Sequence, residues 1–249
     1  MKKMTIDLNS DMGEGIGNDE AIMPYISSAN IACGYHAGDE LSMWDTIEMA
    51  LHYKVNIGAH VSFLDKENFG RSEMKLSNEE VYELVTQQLI IMNDMAGLFN
   101  ANMIHVKPHG ALYNMSAKNA ALAKSIATAV KDFNKELLLF GLSGSHSIKE
   151  AEKIGLKTMS EVFADRSYQD DGSLTPRTQA GALIEDAEAV VRQVLQMINQ
   201  QSVTTQHNKT IQVKADTICI HGDGKNAAAF AKTIHEAMMR EGIHINKTA

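Results

Sequence analysis

The residues best suited to chemistry stand in one short stretch, residues 104–114, where His105, Lys107 and His109 occupy alternate positions. Side chains alternate between the two faces of a strand, so His105 and Lys107 share one face and their apolar neighbours share the other. Pro108 cannot donate a hydrogen bond within a sheet, so it marks the end of the strand. A cation and an imidazole at a strand end could hold an anionic oxygen and transfer protons.

The same arrangement recurs along the chain, because six of seven predicted strands carry polar residues on one face. Parallel strands bring their carboxyl ends to one edge or mouth, where barrel enzymes place their chemistry. Buried charges are costly unless they are paired, so the alternative is an ion-pair network with a purely structural role. The polar residues near the predicted strand ends are Asp7, Asn9, Asp11, Asn30, His36, His60, Lys107, His109, Asp165, Arg166, His221 and Asp223.

Three kinds of chemistry fit this set. The first is general acid–base catalysis by histidines and aspartates whose pKa values their neighbours adjust. The second is metal-assisted hydrolysis with Asp11 and two of the imidazoles of His36, His60 and His109. No histidine pair at helical spacing supports it, because Pro108 rules out a helix between His105 and His109.

The third is anion binding by backbone amides, because helix N-termini attract anions. Two small-residue turns precede predicted helices, at residues 143–145 and 222–224, and ordinary helix capping is the alternative there. The chain has no phosphate-binding loop of the type G-x-x-x-x-G-K-[ST] and no G-x-S-x-G nucleophile turn.

The elements that must position these residues follow a strand-then-helix order, which predicts a parallel sheet with helices outside it. Buried strands of an open parallel sheet usually read as continuous apolar runs, whereas alternation fits strands whose inner faces share one interior. The pattern favours a seven-stranded α/β barrel over a doubly wound open sheet. The predicted strands cover residues 4–11, 28–36, 55–60, 104–108, 137–141, 157–165 and 217–221.

The segments between the predicted strands also allow predictions of helices and loops. Apolar periodicity predicts helices over about 39–53, 77–99, 117–133, 180–200 and 225–240. Two long loops, at residues 61–76 and from residue 165 through 177, are of a length often associated with function. Residues 201–208 are polar and predict a surface linker.

The bulk composition excludes several classes of protein. The 249 residues are 44% hydrophobic and carry a formal net charge of −8, with no basic stripe of the kind that binds nucleic acid. No apolar stretch approaches the ~20 residues of a membrane span, and the first residues lack the apolar core of a signal peptide. The two cysteines, Cys33 and Cys219, each stand in an apolar run and predict buried free thiols. We expect one cytoplasmic domain over residues 1–249.

Seven blocks, in order and nearly end to end, make the chain resemble the LamB/YcsF family. They are residues 7–15 (DLNSDMGEG), 29–39 (ANIACGYHAGD), 58–60 (GAH), 69–71 (FGR), 106–114 (VKPHGALYN), 161–166 (EVFADR) and 221–223 (HGD). The resemblance implies a distorted seven-stranded (β/α) barrel, similar to the glycoside hydrolase/deacetylase barrel. It also implies the A subunit of bacterial ATP-dependent 5-oxoprolinase. That enzyme opens 5-oxo-L-proline to L-glutamate while ATP, bound with Mg²⁺, becomes ADP and phosphate.

The resemblance further implies B and C subunits as partners and leaves a homo-oligomer open, with neither nucleic acid nor membrane involved and no tightly bound metal. The chain departs from the family pattern at Ser10, where cysteine is common, and at Ser62 and Leu64, where prolines are expected. The first departure implies that a thiol at position 10 is not essential. The second concerns the geometry of the loop after His60.

We expect catalytic roles for Asp11, His60, Lys107, His109, Asp165 and His221, and substrate binding by Asp7, Asn9, Asn30, His36, Arg71 and Arg166. Lys107 and Arg166 would hold an anionic oxygen of the substrate carboxylate or a phosphoryl group. Asp11 or Asp165 would act as base, with the histidines shuttling protons or orienting it. If a metal binds, its candidate ligands are Asp11, His36 and His60.

Two other functions remain open at this point. One is a metal-dependent deacetylase-type hydrolase acting on carbohydrate, by analogy of fold alone. The other is a non-catalytic subunit that presents 5-oxoproline or a related lactam to its partners.

Overall fold

The computed structural model describes residues 4–222 and 226–245. Its strands and helices are given by their bounds in chain order. The strands are β1 Thr5–Met12, β2 Ser28–Ala32, β3 Asn56–Val61, β4 Met103–Pro108, β5 Leu138–Leu142, β6 Thr158–Phe163, β7 Ser202–Thr204, β8 Thr210–Gln212, β9 Thr217–Ile220 and β10 His244–Ile245. The helices are α1 Asp19–Ile22, α2 Glu40–Tyr53, α3 Asn78–Leu98, α4 Gly110–Lys118, α5 Ala120–Phe133, α6 His146–Lys153, α7 Ala187–Gln200 and α8 Ala227–Arg240, and Met23–Tyr25 forms a 3₁₀ turn after α1.

Seven of the described strands close into a parallel barrel. The ring runs β1, β2, β3, β4, β5, β6 and β9, and β9 also pairs with β1. The short strand β10 adds to the amino end of β1, and β7 and β8 form a separate antiparallel hairpin. The predicted seven-stranded barrel is confirmed.

Side-chain alternation divides each strand between the barrel interior and the layer of helices. In β4, Val106 belongs to the apolar core, whereas His105 and Lys107 bond to polar side chains of neighbouring strands inside the barrel. Gly58 pairs with His105 across β3 and β4, and a Cβ on Gly58 would stand 2.1 Å from His105 Nε2. The interior at this level is therefore full, and only glycine fits beside the imidazole.

Two of the predicted helices, α2 and α3, begin where the sequence places them. Ser77 and Glu80 form the expected capping box, with the Ser77 side chain accepting from Glu80 N and the Glu80 carboxylate accepting from Ser77 N. Asp39 caps α2 through an equivalent exchange with Ser42. The start predicted for the last helix, Lys225, lies outside the described residues.

Three predictions of local structure differ from the structure in their bounds or in kind. The helix expected over 117–133 ends at Phe133 but begins at Ala120, because Asn119 is extended and its side chain caps the first turn of α5. The helix expected from residue 180 begins at Ala187, after Asp186 caps it, and residues 180–186 remain loop. Residues 201–208 are not a simple linker, because Val203 is fully buried in the β7–β8 hairpin.

No helix within residues 4–222 and 226–245 has the length and apolar character needed to cross a membrane. Cys33 and Cys219 are free and buried, as predicted.

Candidate active site

Lys107 occupies the centre of the polar interior. Its Nζ lies 2.9 Å from Asp11 Oδ1 and 2.9 Å from Glu161 Oε1, and all three side chains are buried. Burial opposes a charged amine, but the attraction of Asp11, and then of other neighbours including Glu161, raises the pKa of Lys107 well above its usual value. Burial likewise opposes a charged Asp11, yet His60 and Lys107 hold its pKa well below the usual value. The site therefore contains a buried cation between two carboxylates.

Amide side chains tie this ion group to the strands around it. Asn30 donates to Asn9 Oδ1 at 2.7 Å and to Asp11 Oδ1 at 2.9 Å. Asn9 in turn donates to Glu161 Oε1 at 3.0 Å, and His105 Nε2 donates to Asn30 Oδ1 at 2.8 Å. Asn9 and Asn30 therefore orient the charged groups of β1, β4 and β6.

Asp165 and His221 form a second pair on the neighbouring strand ends of β6 and β9. His221 Nδ1 lies 2.9 Å from Asp165 Oδ1, and its ring stacks on Phe163. A carboxylate in this position fixes the imidazole ring and its tautomer, so the other ring nitrogen is the one available for proton transfer. Asp11, Cys219 and His221 also bring ligand atoms within 4.8 Å of one another.

Three histidines gather beside Asp11, and we call them, together with Glu14, the histidine cluster: His36, His60, His109 and Glu14. Their facing ligand atoms all lie within 4.8 Å of one another. His60 Nε2 is 2.9 Å from His109 Nδ1 and 3.4 Å from Asp11 Oδ1, so the cluster adjoins the Lys107–Asp11 pair.

Burial, followed by repulsion from His60, lowers the pKa of His36 to about 2. Burial, then repulsion from His36 and His60, lowers the pKa of His109 well below its usual value. Both imidazoles are therefore neutral at ordinary pH.

The loop between β3 and α3, residues 62–77, packs against the outer side of the histidine cluster. Phe69 adopts a left-handed conformation (φ 56°), which is uncommon for a bulky residue, and its carbonyl accepts from His109 Nε2 at 2.9 Å. The Phe69 ring packs edge-on against His36 and His109, and Arg71 lies over the same ring at 4.8 Å while remaining exposed. Arg71 is thus at the rim of the site and does not enter its buried part.

Two predicted substrate-binding residues lie away from the centre. Asp7 faces the interior but lies toward the amino end of the barrel, where it accepts from Ser27, Ser28 and Thr217, and burial raises its pKa. A cavity of about 320 Å³ at that end is lined in part by Asp7 and His105.

The buried Arg166 points into its own loop, where Nη2 donates to Thr175 O at 2.5 Å and Nε donates to Ala182 O at 3.3 Å. Burial, followed by repulsion from Arg177, lowers the pKa of Arg166 to about 10. Of the turn predicted to bind anions at residues 222–224, Asp223 and Gly224 lie outside the described residues.

Sequence reasoning missed several residues of the site. Glu161 and Cys219 face inward, and Lys107 Nζ lies 3.1 Å from Cys219 Sγ. Glu161 stands four residues before Asp165, and Cys219 stands two residues before His221. Side chains an even number of residues apart share one face of a strand, so this spacing could have identified both. Tyr113 Oη and Glu161 Oε2 are buried and have no hydrogen-bond partner within the described residues. Tyr113 stands in the quoted block 106–114, but only its position in α4 brings it to the interior.

A comparison with known protein families shows to which family this chain belongs. Residues 6–249 match the model described as the LamB/YcsF family. The chain belongs to the LamB/YcsF family. A relative from Brevibacillus brevis, named as the A subunit of 5-oxoprolinase, is 51% identical over 246 residues, which is 97% of either chain. A relative of the same name from Staphylococcus saprophyticus is 48% identical over 98% of this chain and 99% of its own.

Solved structures agree with the fold. The lactam utilization protein from Thermus thermophilus superposes with a TM-score of 0.92 at 38% identity, over 98% of this chain and all of the other. A family 4 carbohydrate esterase from Streptomyces lividans has a TM-score of 0.54 at 12% identity, over 99% of this chain and 93% of its own. This second likeness concerns the fold alone, and it matches the predicted similarity to deacetylase-type barrels.

Proposed function

We propose that this chain is the A subunit of an ATP-dependent 5-oxoprolinase and acts with B and C subunits. The reaction converts 5-oxo-L-proline, ATP and two water molecules into L-glutamate, ADP and phosphate. One water supplies the new carboxyl oxygen, and the second is consumed with the transferred phosphoryl group. The names of the relatives support the complex and its substrate, and the buried Lys107–Asp11 pair is the observation within this chain that supports the chemistry best.

Ring opening of this lactam needs to be driven. The amide is stable, and the product amine is held beside its own carboxylate, where intramolecular reactions reach effective concentrations of about 10⁵–10⁸ M. Transfer of the γ-phosphoryl group of ATP, bound with Mg²⁺, to the lactam oxygen would release ADP and make the ring carbon a better electrophile. Attack by one water at that carbon would then break the C–N bond and leave an acyl phosphate, and the second water would hydrolyse the acyl phosphate to the carboxylate and phosphate.

The side chains at the mouth suit the separate parts of this reaction. The ammonium of Lys107 would stabilise negative charge on the lactam or phosphoryl oxygen, as preorganised cations do in buried sites. Asp11, held ionised beside it, would accept a proton from water. His221, oriented by Asp165, would donate a proton to the ring nitrogen as the C–N bond breaks.

The experiment is 5-oxoproline-dependent ATP hydrolysis by the chain reconstituted with its partner subunits. Asp165→Asn keeps the size of the side chain but removes the carboxylate that orients His221. We expect kcat to fall by about 10²–10⁴, the range for loss of a general acid–base group, with the melting temperature nearly unchanged. The exposed Asp186→Asn is the matched control and should keep full activity. Near-normal turnover by Asp165→Asn would reject the assigned acid.

The two alternatives make different predictions in the same assay. A carbohydrate deacetylase would hydrolyse acetylated sugars without ATP and without partner subunits. A lactam-binding subunit without catalytic groups would keep its activity in the complex after Asp165→Asn, provided that 5-oxoproline still bound.

A further inference from the structure

Each imidazole of the histidine cluster has one nitrogen bound to a fixed acceptor outside the cluster. His60 Nδ1 lies 2.9 Å from Lys107 O, and His109 Nε2 lies 2.9 Å from Phe69 O. A carbonyl oxygen can only accept, so both of these nitrogens carry a hydrogen.

The third imidazole follows the same rule. His36 Nδ1 lies 2.9 Å from Ser62 Oγ, whose own hydrogen is donated to Phe63 O. His36 Nδ1 therefore also carries a hydrogen, and Ser62 accepts it.

The remaining nitrogens of the three rings face one another. His60 Nε2 and His109 Nδ1 are 2.9 Å apart. His36 Nε2 is 3.1 Å from the carboxylate oxygen Glu14 Oε1, which also lies 3.6 Å from His109 Nδ1 and 3.9 Å from His60 Nε2. Three imidazole nitrogens and one carboxylate oxygen, each able to offer a lone pair, thus meet in a buried space, an arrangement that a cation lying among them would stabilise.

We propose that the histidine cluster binds one divalent transition-metal ion through His36 Nε2, His60 Nε2, His109 Nδ1 and Glu14 Oε1. Histidine ligands of metals almost always donate their other N–H to a carbonyl, carboxylate or similar acceptor, and all three rings here do so. Zinc binds imidazole and carboxylate ligands at about 2.0–2.2 Å, which places tetrahedral ligand atoms about 3.3–3.6 Å apart. His60 Nε2 and His109 Nδ1 are 2.9 Å apart, Glu14 Oε1 lies 3.1–3.9 Å from the three ring nitrogens, and no two ligand atoms are more than 4.8 Å apart, so these spacings include that value.

This ligand set differs from the one predicted from the sequence. His36 and His60 are shared, but Glu14 and His109 supply the other ligand atoms, and Asp11 lies beside the cluster at 3.4 Å from His60 Nε2. Asp11 is also bound to Lys107. A molecule bound at the metal would therefore adjoin the Lys107–Asp11 pair.

The competing explanation is a single proton shared by His60 and His109. That proton would relieve the contact between these two rings but not the one between His36 Nε2 and Glu14. The two explanations differ in metal uptake and in the number of rings affected, so they can be separated on the isolated full-length chain.

The experiment is a titration of the full-length chain, stripped with a chelator and dialysed, with Zn²⁺ and with Co²⁺ as a coloured substitute. We expect one ion per chain, intense visible bands of four-coordinate Co²⁺, and shifted ¹⁵N signals of His36, His60 and His109. His60→Gln and Glu14→Gln should weaken the affinity by at least about 100-fold. Ser62→Ala, which removes the acceptor for His36 and the hydrogen bond to Phe63 O but no ligand atom, should weaken it by about 10–100-fold.

The exposed His52→Gln is the matched control and should bind as the wild type does. The proposal is overturned if the wild type takes up no ion at micromolar concentrations, or if folded His60→Gln binds as tightly as the wild type. The wild-type titration and its ¹⁵N signals decide the question even if a cluster variant does not fold. Uptake is measured without ATP or partner subunits, so a failure of the proposed function would leave this result intact, and the reverse also holds.

Discussion

Replacement of Lys107 by methionine tests whether the barrel interior depends on a buried cation. The side chain of Lys107 is 3% exposed, and it is bonded to Asp11 and Glu161, which are 7% and 0% exposed. Methionine keeps the length and apolar stem but leaves two buried carboxylates without their counter-ion. Breaking a buried pair in this way costs about 3–5 kcal/mol of the free energy of unfolding.

The assay is equilibrium unfolding in urea followed by circular dichroism, together with a thermal melt. For a chain of this size, each kcal/mol lowers the melting temperature by about 2–4 °C, so the predicted fall is about 6–20 °C. The matched control is Lys232→Met, because the Lys232 side chain is 57% exposed and its ion pair with the equally exposed Glu236 spans 4.0 Å. Its stability should change by less than about 0.5 kcal/mol.

A second variant checks the cause of the loss. Adding Glu161→Gln to Lys107→Met removes one of the two stranded charges, so the double variant should be more stable than Lys107→Met alone. The reasoning is refuted if Lys107→Met costs less than about 1 kcal/mol, or if Glu161→Gln destabilises both backgrounds equally.

Three further predictions concern packing, the second long loop and the thiols. Gly58→Ala should unfold the protein or abolish its soluble expression, because the new Cβ would overlap the His105 ring, whereas Gly97→Ala in α3 should raise the free energy of unfolding by up to about 1 kcal/mol. Arg166→Ala should speed cleavage of the loop at 164–186 by trypsin or chymotrypsin in limited proteolysis, because two hydrogen bonds to loop carbonyls are lost. Cys33 and Cys219 should react with a thiol reagent only after denaturation, because both are buried and burial raises the pKa of Cys33 to about 12.

Each of these has a clear contrary result. A Gly58→Ala protein that melts within a few degrees of the wild type would show that the interior has more room than the structure indicates. The exposed Arg192→Ala is the control for the loop and should leave its cleavage unchanged, so equal effects of the two arginine variants would contradict the role given to Arg166. Rapid modification of the native thiols would contradict their burial.

Alternation along the strands made much of the interior predictable. Lys107, His60 and Asp165 were placed on inward faces from parity alone, and the structure brings them to one region with Asp11 and His221. Parity works here because one face of each barrel strand meets the helices and the other meets a shared interior.

Alternation shows which face of a strand a side chain is on. It does not show at which end of the barrel that side chain lies, nor the course of a loop. Asp7 and Asp11 share a face, but four residues of strand separate them by about 13 Å, so Asp7 reaches the opposite end of the barrel. Arg166 follows a strand end, yet it bonds to carbonyls of a loop whose course no local pattern records. Glu14 joins the histidines because the chain turns back after β1 at Gly13, which is left-handed at φ 69°.

The errors in the predicted helix starts arise because capping residues interrupt the apolar periodicity from which the helices were predicted. Asn119 and Asp186 are caps that interrupt apolar periodicity, and a periodic pattern read across them runs two segments together or begins one too early. Leu183 fits the helical stripe of α7 but pairs instead with Arg166 in the loop and stays 44% exposed.

A product count tests most directly whether this barrel contributes the lactam-opening site of an ATP-coupled complex, as we propose. The chain is combined with its partner subunits and 5-oxo-L-proline, and glutamate and ADP are measured together. We predict equal amounts of the two products, none without 5-oxoproline, and loss of both when Lys107 is replaced by methionine in protein shown to be folded. Glutamate formed without ATP, or ADP formed at the same rate without 5-oxoproline, would contradict the account.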